Sequence, residues 1–136
     1  MTIKDNNWGV SYAQITWLER FLKGHKNIVK VNRTKDILFE VDRIANKDKL
    51  LVLCLDEYVM SFTAVQKVIE EFGRVHIIYI GGGWCSYTEQ AKDYCIQNNI
   101  GLYVTEEMTG AIWSEKYWSY HRKNRDGDPM YHYGRK

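Results

Sequence analysis

The chain has 136 residues, 45% hydrophobic and 26% charged, with a formal net charge of +2. That suffices for one domain with a real core and is too little for two. No apolar run approaches the ~18 residues needed to span a membrane, and the opening MTIKDNNWGV lacks the apolar stretch of a secretory signal. An intracellular protein, cytoplasmic or nuclear, with no membrane partner is therefore expected. Cys54, Cys85 and Cys95 are an odd number without metal-type spacing and read as reduced thiols.

In chain order, Ser11 opens a helix with Gln14 three residues on, as in a capping box; Ile15, Leu18 and Leu22 form its apolar face and Gly24 follows. Residues 28–32 and 36–44 are β-branched and apolar enough for strands. Asn46-Lys47-Asp48 is a polar turn. Lys49–Leu55 is the longest continuous apolar run, the mark of a strand buried on both faces. Thr63 and Gln66 open a second helix with Val65, Val68, Ile69 and Phe72 inward, ended by Gly73. Residues 75–80 form another buried strand. Ser86 and Glu89 form a capping box for a third helix, with Ala91, Tyr94 and Cys95 inward. Residues 100–104 are a last strand, and Thr105-Glu106-Glu107 begins a fourth helix with acids where the helix dipole favours them. Helices alternating with strands in the second half imply parallel crossovers; the hairpin over 36–55 implies antiparallel pairing before them.

Charge is unevenly spread. Residues 114–136 hold Lys116, Arg122, Lys123, Arg125, Arg135 and Lys136 against three acids, a net of +3, while the remainder is net −1. Trp113, Tyr117, Trp118, Tyr120, Tyr131 and Tyr133 interleave them. A basic, aromatic tail can track phosphates and stack on bases. The plainer reading is that Trp113, Tyr117 and Tyr120 pack a last helix on the core while the charges stay solvated.

The order helix, three-strand meander, helix, strand, helix, strand resembles the core of the restriction-endonuclease-like nucleases. EVDRIANKDKLLVLCLD is similar to the G-E-I-D-L-I-A…V-E-V-K segment of their small resolvase-like members, and VHIIYIGGGWCSYTEQAKDYCIQNNIGLYVTEEMTGAI resembles the ending of restriction enzymes of that fold. The resemblance covers roughly residues 11–113. It places Asp42 on the first metal ligand, Cys54 on the Glu and Asp56 on the Lys of the family pattern. A narrower likeness is to the jaw domain of the fifth subunit of eukaryotic-type RNA polymerases, carried by Leu55-Asp56-Glu57-Tyr58, the helix over 61–72, and a tail reading Asp128-Pro129-Met130-Tyr131-His132-Tyr133-Gly134. That subunit has this fold without nuclease chemistry.

Phosphodiester hydrolysis of this type needs carboxylates holding Mg²⁺ and a cation to orient water or offset charge. Asp42 can be one ligand. Cys54 is a poor one, since a thiolate prefers soft metals. Asp56 shares a strand face with Cys54 by the two-residue period and is the replacement ligand. Lys67 is the candidate for a migrated lysine, and Glu19 for an accessory acid. Separately, Gly81-Gly82-Gly83 follows a strand, so the N–H groups of Gly82 and Gly83 with the Ser86 hydroxyl could cradle a phosphate; a tight turn is the plainer reading. His25, His76, His121 and His132 show no metal spacing, and Cys85 reads as a thiol without a catalytic base.

The expectation is an α/β protein: a restriction-endonuclease-like mixed sheet of about five strands flanked by helices over 1–113, then a basic aromatic tail over 114–136. The role expected is a non-catalytic module in a DNA, RNA or transcription-complex setting. It would bind nucleic acid through Lys116, Tyr120, Arg122, Lys123, Arg125, Arg135 and Lys136, with a protein assembly partner and no cofactor. The alternatives are an active Mg²⁺-dependent nuclease on Asp42, Asp56 and Lys67, or a nucleotide-binding protein using the Gly81–Gly83 turn.

Overall fold

The computed structural model describes residues 8–82 and 85–134. Along the chain run α1 (Tyr12–Gly24), β1 (Ile28–Arg33), β2 (Leu38–Arg43), β3 (Lys49–Leu55), β4 (Val59–Met60), α2 (Phe62–Phe72) and β5 (Ile77–Ile80). Then come β6 (Ser86–Tyr87), α3 (Glu89–Gln97), β7 (Gly101–Val104), α4 (Thr105–Trp113), β8 (Arg122–Lys123) and β9 (Pro129–Met130). Among the described residues this is a mixed α/β fold with a five-stranded sheet in the order β1-β2-β3-β5-β7. β1, β2 and β3 pair antiparallel, and β3, β5 and β7 parallel. Two small sheets flank it: β4 with β6, parallel, and β8 with β9, antiparallel.

Capping chemistry sets the helix starts. Ser11 accepts from the Gln14 N–H at 3.3 Å, as its position implies. The second helix is capped by Ser61, which accepts from the Ala64 N–H at 3.1 Å, so Thr63 lies inside the first turn. The third is capped by Thr88, not Ser86: its hydroxyl accepts from the Ala91 N–H at 3.1 Å. Ser86 instead pairs with Val59 in the β4–β6 ribbon. Thr88 and Ser86 both satisfy the local capping pattern; the non-local ribbon decides between them. α4 ends at Trp113, so no last helix carries Tyr117 and Tyr120.

Val52, Leu53, Cys54 and Leu55 are all fully buried, so β3 is covered on both faces. The Cys54 thiol donates to the Gln14 carbonyl of α1 at 3.8 Å, which assigns residues 50, 52 and 54 to the α1 side. α2 and α3 pack on each other and α3 against β7, covering the other side. Burying side chains such as Val65 and Val68 in that layer contributes about 1.5–3 kcal/mol each relative to exposure.

The tail belongs to the same core. Tyr117 is buried, and its carbonyl accepts from the Tyr103 hydroxyl. Tyr87 exchanges bonds with the chain end: its N–H donates to the His132 carbonyl at 3.2 Å and its carbonyl accepts from the Gly134 N–H at 2.8 Å. The hairpin between β8 and β9 is closed by Asn124, whose side-chain oxygen accepts from the N–H groups of Asp126 (2.8 Å) and Asp128 (3.0 Å), with Gly127 at φ 87°.

Candidate functional site

The register of the β2–β3 hairpin decides whether Asp42 and Asp56 can form a pair. Asp42 lies opposite Lys49, at the start of β3, while Asp56 follows its far end. Seven residues of strand at ~3.3 Å each separate the two levels by about 23 Å. Asp42 and Asp56 therefore do not share a metal ion, and the paired-carboxylate site expected of them is not assembled. Asp42 instead makes an exposed ion pair with Lys49 (3.4 Å), which Glu40 joins at 3.7 Å. Such a surface cluster contributes less than about 1 kcal/mol. Glu19 is likewise engaged with Lys23 at 3.0 Å.

At the Asp56 end the acid supplied by the β2 side is Asp36, whose carboxylate meets Arg33 at 2.5 Å. Cys54 lies between these charges, but its side chain points under α1. Desolvation, reinforced by Asp56, pushes its thiol up to about 12. Lys67 stands on the exposed side of α2 and lines a cleft of ≈ 590 Å³ with Trp8, Glu57, Ser61 and Glu71. It thus lies on the Asp56 side of the molecule and away from Asp42. Among the described residues no group of three or more His, Cys, Asp or Glu side chains could hold a metal ion.

Of the glycine turn, Gly81 and Gly82 are described; Gly83 lies outside the described residues. Gly82 has φ 104°, and a Cβ added on Gly81 would collide with the Gln14 side-chain oxygen, so close packing is what these glycines serve. Ser86 is two residues from the true cap and its hydroxyl makes only a long 3.5 Å contact to the Tyr58 carbonyl. Desolvation and the nearby Asp56 and Glu57 push the Cys85 thiol up. Asp56 and Glu57 thus lie near enough to Cys85 to act on its thiol.

The C-terminal segment is organised differently from a loose tail. Arg122 and Lys123 form β8, Arg125 sits in the Asn124 turn, and Lys123 and Arg125 are exposed. Lys116 lines a shallow cleft of ≈ 390 Å³ with Ser119, Tyr120, His121 and Lys123. Tyr120 is committed to packing: its N–H donates to the Tyr103 hydroxyl at 3.1 Å, and its ring occupies the space that a Cβ on Gly110 would need. The ring is half-buried by this packing and also lines the Lys116 cleft. Arg135 and Lys136 lie outside the described residues.

Sequence reasoning missed a buried polar cluster that anchors this segment. Lys92 of α3 and Glu107 of α4 are fully buried. Lys92 Nζ donates to the Leu102 carbonyl at 2.6 Å and lies 4.1 Å from the Tyr103 ring centre, 5.0 Å from Tyr87 and 5.7 Å from Tyr131. Glu107 accepts from the Tyr87 hydroxyl at 2.7 Å and from the Val104 N–H at 3.0 Å. Desolvation lowers Lys92 to about 8 despite the opposing pull of Glu107. The signal that could have found them was helical spacing: Lys92 lies one residue from Ala91 and three from Cys95, and Glu107 four before Ala111, all inward positions.

The fold and these sites define an α/β protein with a mixed five-stranded sheet, a basic C-terminal hairpin and no assembled carboxylate pair at Asp42 and Asp56. Comparison with protein-family models, curated proteins and solved structures finds no match to this chain. No helix among the described residues is long and apolar enough to cross a membrane.

Proposed function

We propose that this chain is a non-catalytic nucleic-acid-binding module on a restriction-endonuclease-like scaffold, and that its principal contact is the β8–β9 hairpin. The observation that carries the reading is the presentation of Arg122, Lys123 and Arg125 on a short ribbon whose turn is fixed by Asn124 and whose ends are tied to Tyr103 and Tyr87. Cations held on a pre-ordered ribbon meet phosphates with little ordering cost. The sheet order supports the scaffold assignment: a leading helix, an antiparallel meander, then two parallel crossovers. The separation of Asp42 from Asp56 supports the absence of cleavage. No cofactor is invoked, and a protein assembly partner in a transcription-like complex is compatible with the jaw-domain likeness.

The test is anisotropy of labelled single-stranded DNA, duplex DNA and RNA over a salt series, with Mg²⁺ present and cleavage read on the same samples. Binding is expected, with Arg122→Ala/Lys123→Ala/Arg125→Ala lowering the log–log salt slope by about 2 to 3. Cleavage that Asp42→Ala abolishes would instead make the protein a Mg²⁺-dependent nuclease. Thermal stabilisation by a nucleotide, lost in Gly82→Val, would transfer the function to the glycine turn.

A further inference from the structure

A ladder of aromatic rings runs between α1 and α4, on a surface that the hairpin does not use. On α1, Trp17 and Phe21 recur four residues apart, and His25 follows at the same interval, so the three rings rise along one stripe. Trp17 lies nearly parallel to Phe21 (5.4 Å, 10°) and to Tyr79 of β5 (5.7 Å, 11°). Phe21 meets His25 edge-on at 5.8 Å, and His25 meets Trp113, the last residue of α4, at 5.4 Å. The ladder is rigid. His25 Nδ1 accepts from the Asn27 N–H at 3.0 Å, so Nε2 carries the proton and donates to the Thr109 carbonyl at 3.1 Å.

Two rungs are open to solvent: Trp17 is 40% exposed and Trp113 51%. Between them lies a concavity of ≈ 440 Å³ lined by Arg20, Phe21, His25, Lys26, Thr109 and Trp113. The fully charged side chains on its rim are both cations, Arg20 and Lys26. Beyond Trp17 a second concavity of ≈ 420 Å³ carries Glu106, so the positive end of the groove is the Trp113 end. Exposed indoles along a shallow groove, bordered on one stretch by cations alone, complement a ligand with flat apolar groups joined by anions. Paired bases in a duplex present no free faces to such a platform.

We propose that the α1–α4 ladder binds a short single-stranded segment of nucleic acid, with a base stacked on Trp113 and phosphates at Arg20 and Lys26. The ligand class rests on the nucleic-acid reading above; the site and the single-strand preference are separate from it. Anisotropy with labelled oligo-dT and oligo-U of about a dozen nucleotides, beside a duplex of equal length, tests it in the full chain. Trp113→Ala is expected to weaken single-strand binding about tenfold or more, the loss of one stacked base, to lower the urea midpoint modestly through the lost His25 contact, and to leave duplex binding unchanged. Arg20→Ala/Lys26→Ala is expected to reduce the single-strand salt slope by about 1.4. Single-strand binding unchanged in both variants but lost in Arg122→Ala/Lys123→Ala/Arg125→Ala would sink the ladder site and leave the hairpin reading standing. No binding by the unmodified chain would overturn both. Self-association in sedimentation that Trp113→Ala removes would reassign the ladder to a second copy of the chain.

Discussion

Replacing Lys92 by methionine removes a fully buried charge at nearly constant volume. At neutral pH the folded state holds a charged ammonium with a titration point near 8, against an ordinary 10.5, and each tenfold loss of proton affinity on folding costs about 1.4 kcal/mol. Charging Lys92 in the fold therefore costs about 3 kcal/mol relative to the unfolded chain. Against that gain, methionine leaves the Leu102 carbonyl without its Lys92 donor and Glu107 without a compensating charge, a loss of about 3–5 kcal/mol for a broken buried pair. The net change at pH 7 is thus a small difference between opposing effects. The pH dependence is not. Between pH 8 and 10.5 the unfolded chain binds a proton at Lys92 that the folded chain has lost, so this group makes stability rise with pH by about 1.4 kcal/mol per unit. The variant lacks that rise. Its deficit relative to the parent should grow by about 2 kcal/mol from pH 8 to pH 10 in urea unfolding. The buried Cys54, Tyr87 and Tyr103, whose raised values lower stability above pH 9 to 10, are common to both chains and cancel in the difference; Cys95, which Lys92 pulls down, does not, so the comparison is made with Cys95→Ala in both chains. Parallel curves, with a deficit constant across that range, would refute the account and mean that Lys92 is solvated.

Two further changes probe how α4 and the tail are fastened. Arg43→Ala should cost about 3 kcal/mol or more, because the buried guanidinium bonds Asp48 twice (2.8 and 2.7 Å) and the Ile112 and Ser114 carbonyls; Asp48→Ala should cost distinctly less, since Asp48 is partly exposed. Equal losses in urea midpoints would contradict the assignment of the carbonyl bonds to Arg43. Gly110→Ala drives a methyl into the Tyr120 ring and should cost about 1–3 kcal/mol; the double variant with Tyr120→Ser should recover part of that loss, and additive losses would show that the contact is not the cause.

Much of the sheet was legible because β3 is a continuous apolar run and the strands around it are β-branched. The helix starts were less so: Ser61 and Thr63, or Ser86 and Thr88, are equally good local caps, and the choice falls to the two-residue β4–β6 ribbon, which only tertiary pairing creates. The register carried the most weight and was only partly readable. The polar stretch Asn46–Asp48 marks a turn, but the loop runs over residues 44–47, with Lys47 in the left-handed region at φ 53° and the Arg43 N–H donating to the Asp48 carbonyl at 2.9 Å. Counting outward from the polar stretch would set Asp42 against Val52; the observed register sets it against Lys49 and removes Asp56 from reach. The likeness of the local text to nuclease segments pointed instead to Asp42 with Asp56, because a linear motif carries spacing but not the position of the turn. The seat of the Tyr120 ring was illegible for a related reason: nothing in the tail announces that Gly110, ten residues earlier, leaves room for it.

Counting Asp36 in place of Asp42 does not restore a metal site. The strand position between Asp36 and Asp56 is Cys54, which is fully buried under α1 and donates to the Gln14 carbonyl, while Asp36 is engaged by Arg33. A carboxylate introduced at Cys54 would enter an environment that already pushes a thiol up to about 12, and burying it would cost several kcal/mol. The Cys54 end of the sheet is thus built as core, and the two proposed surfaces lie in elements fastened to α4. The C-terminal carbonyls of that helix have no glycine cap. Ile112 O accepts from Asn27 and Arg43, Thr109 O from His25, and Ser114 O from Arg43. One end of α4 therefore holds the His25–Trp113 step of the aromatic ladder, and through Glu107 and Gly110 its inner face holds the tyrosines that anchor the hairpin. α4 is therefore an element common to both surfaces.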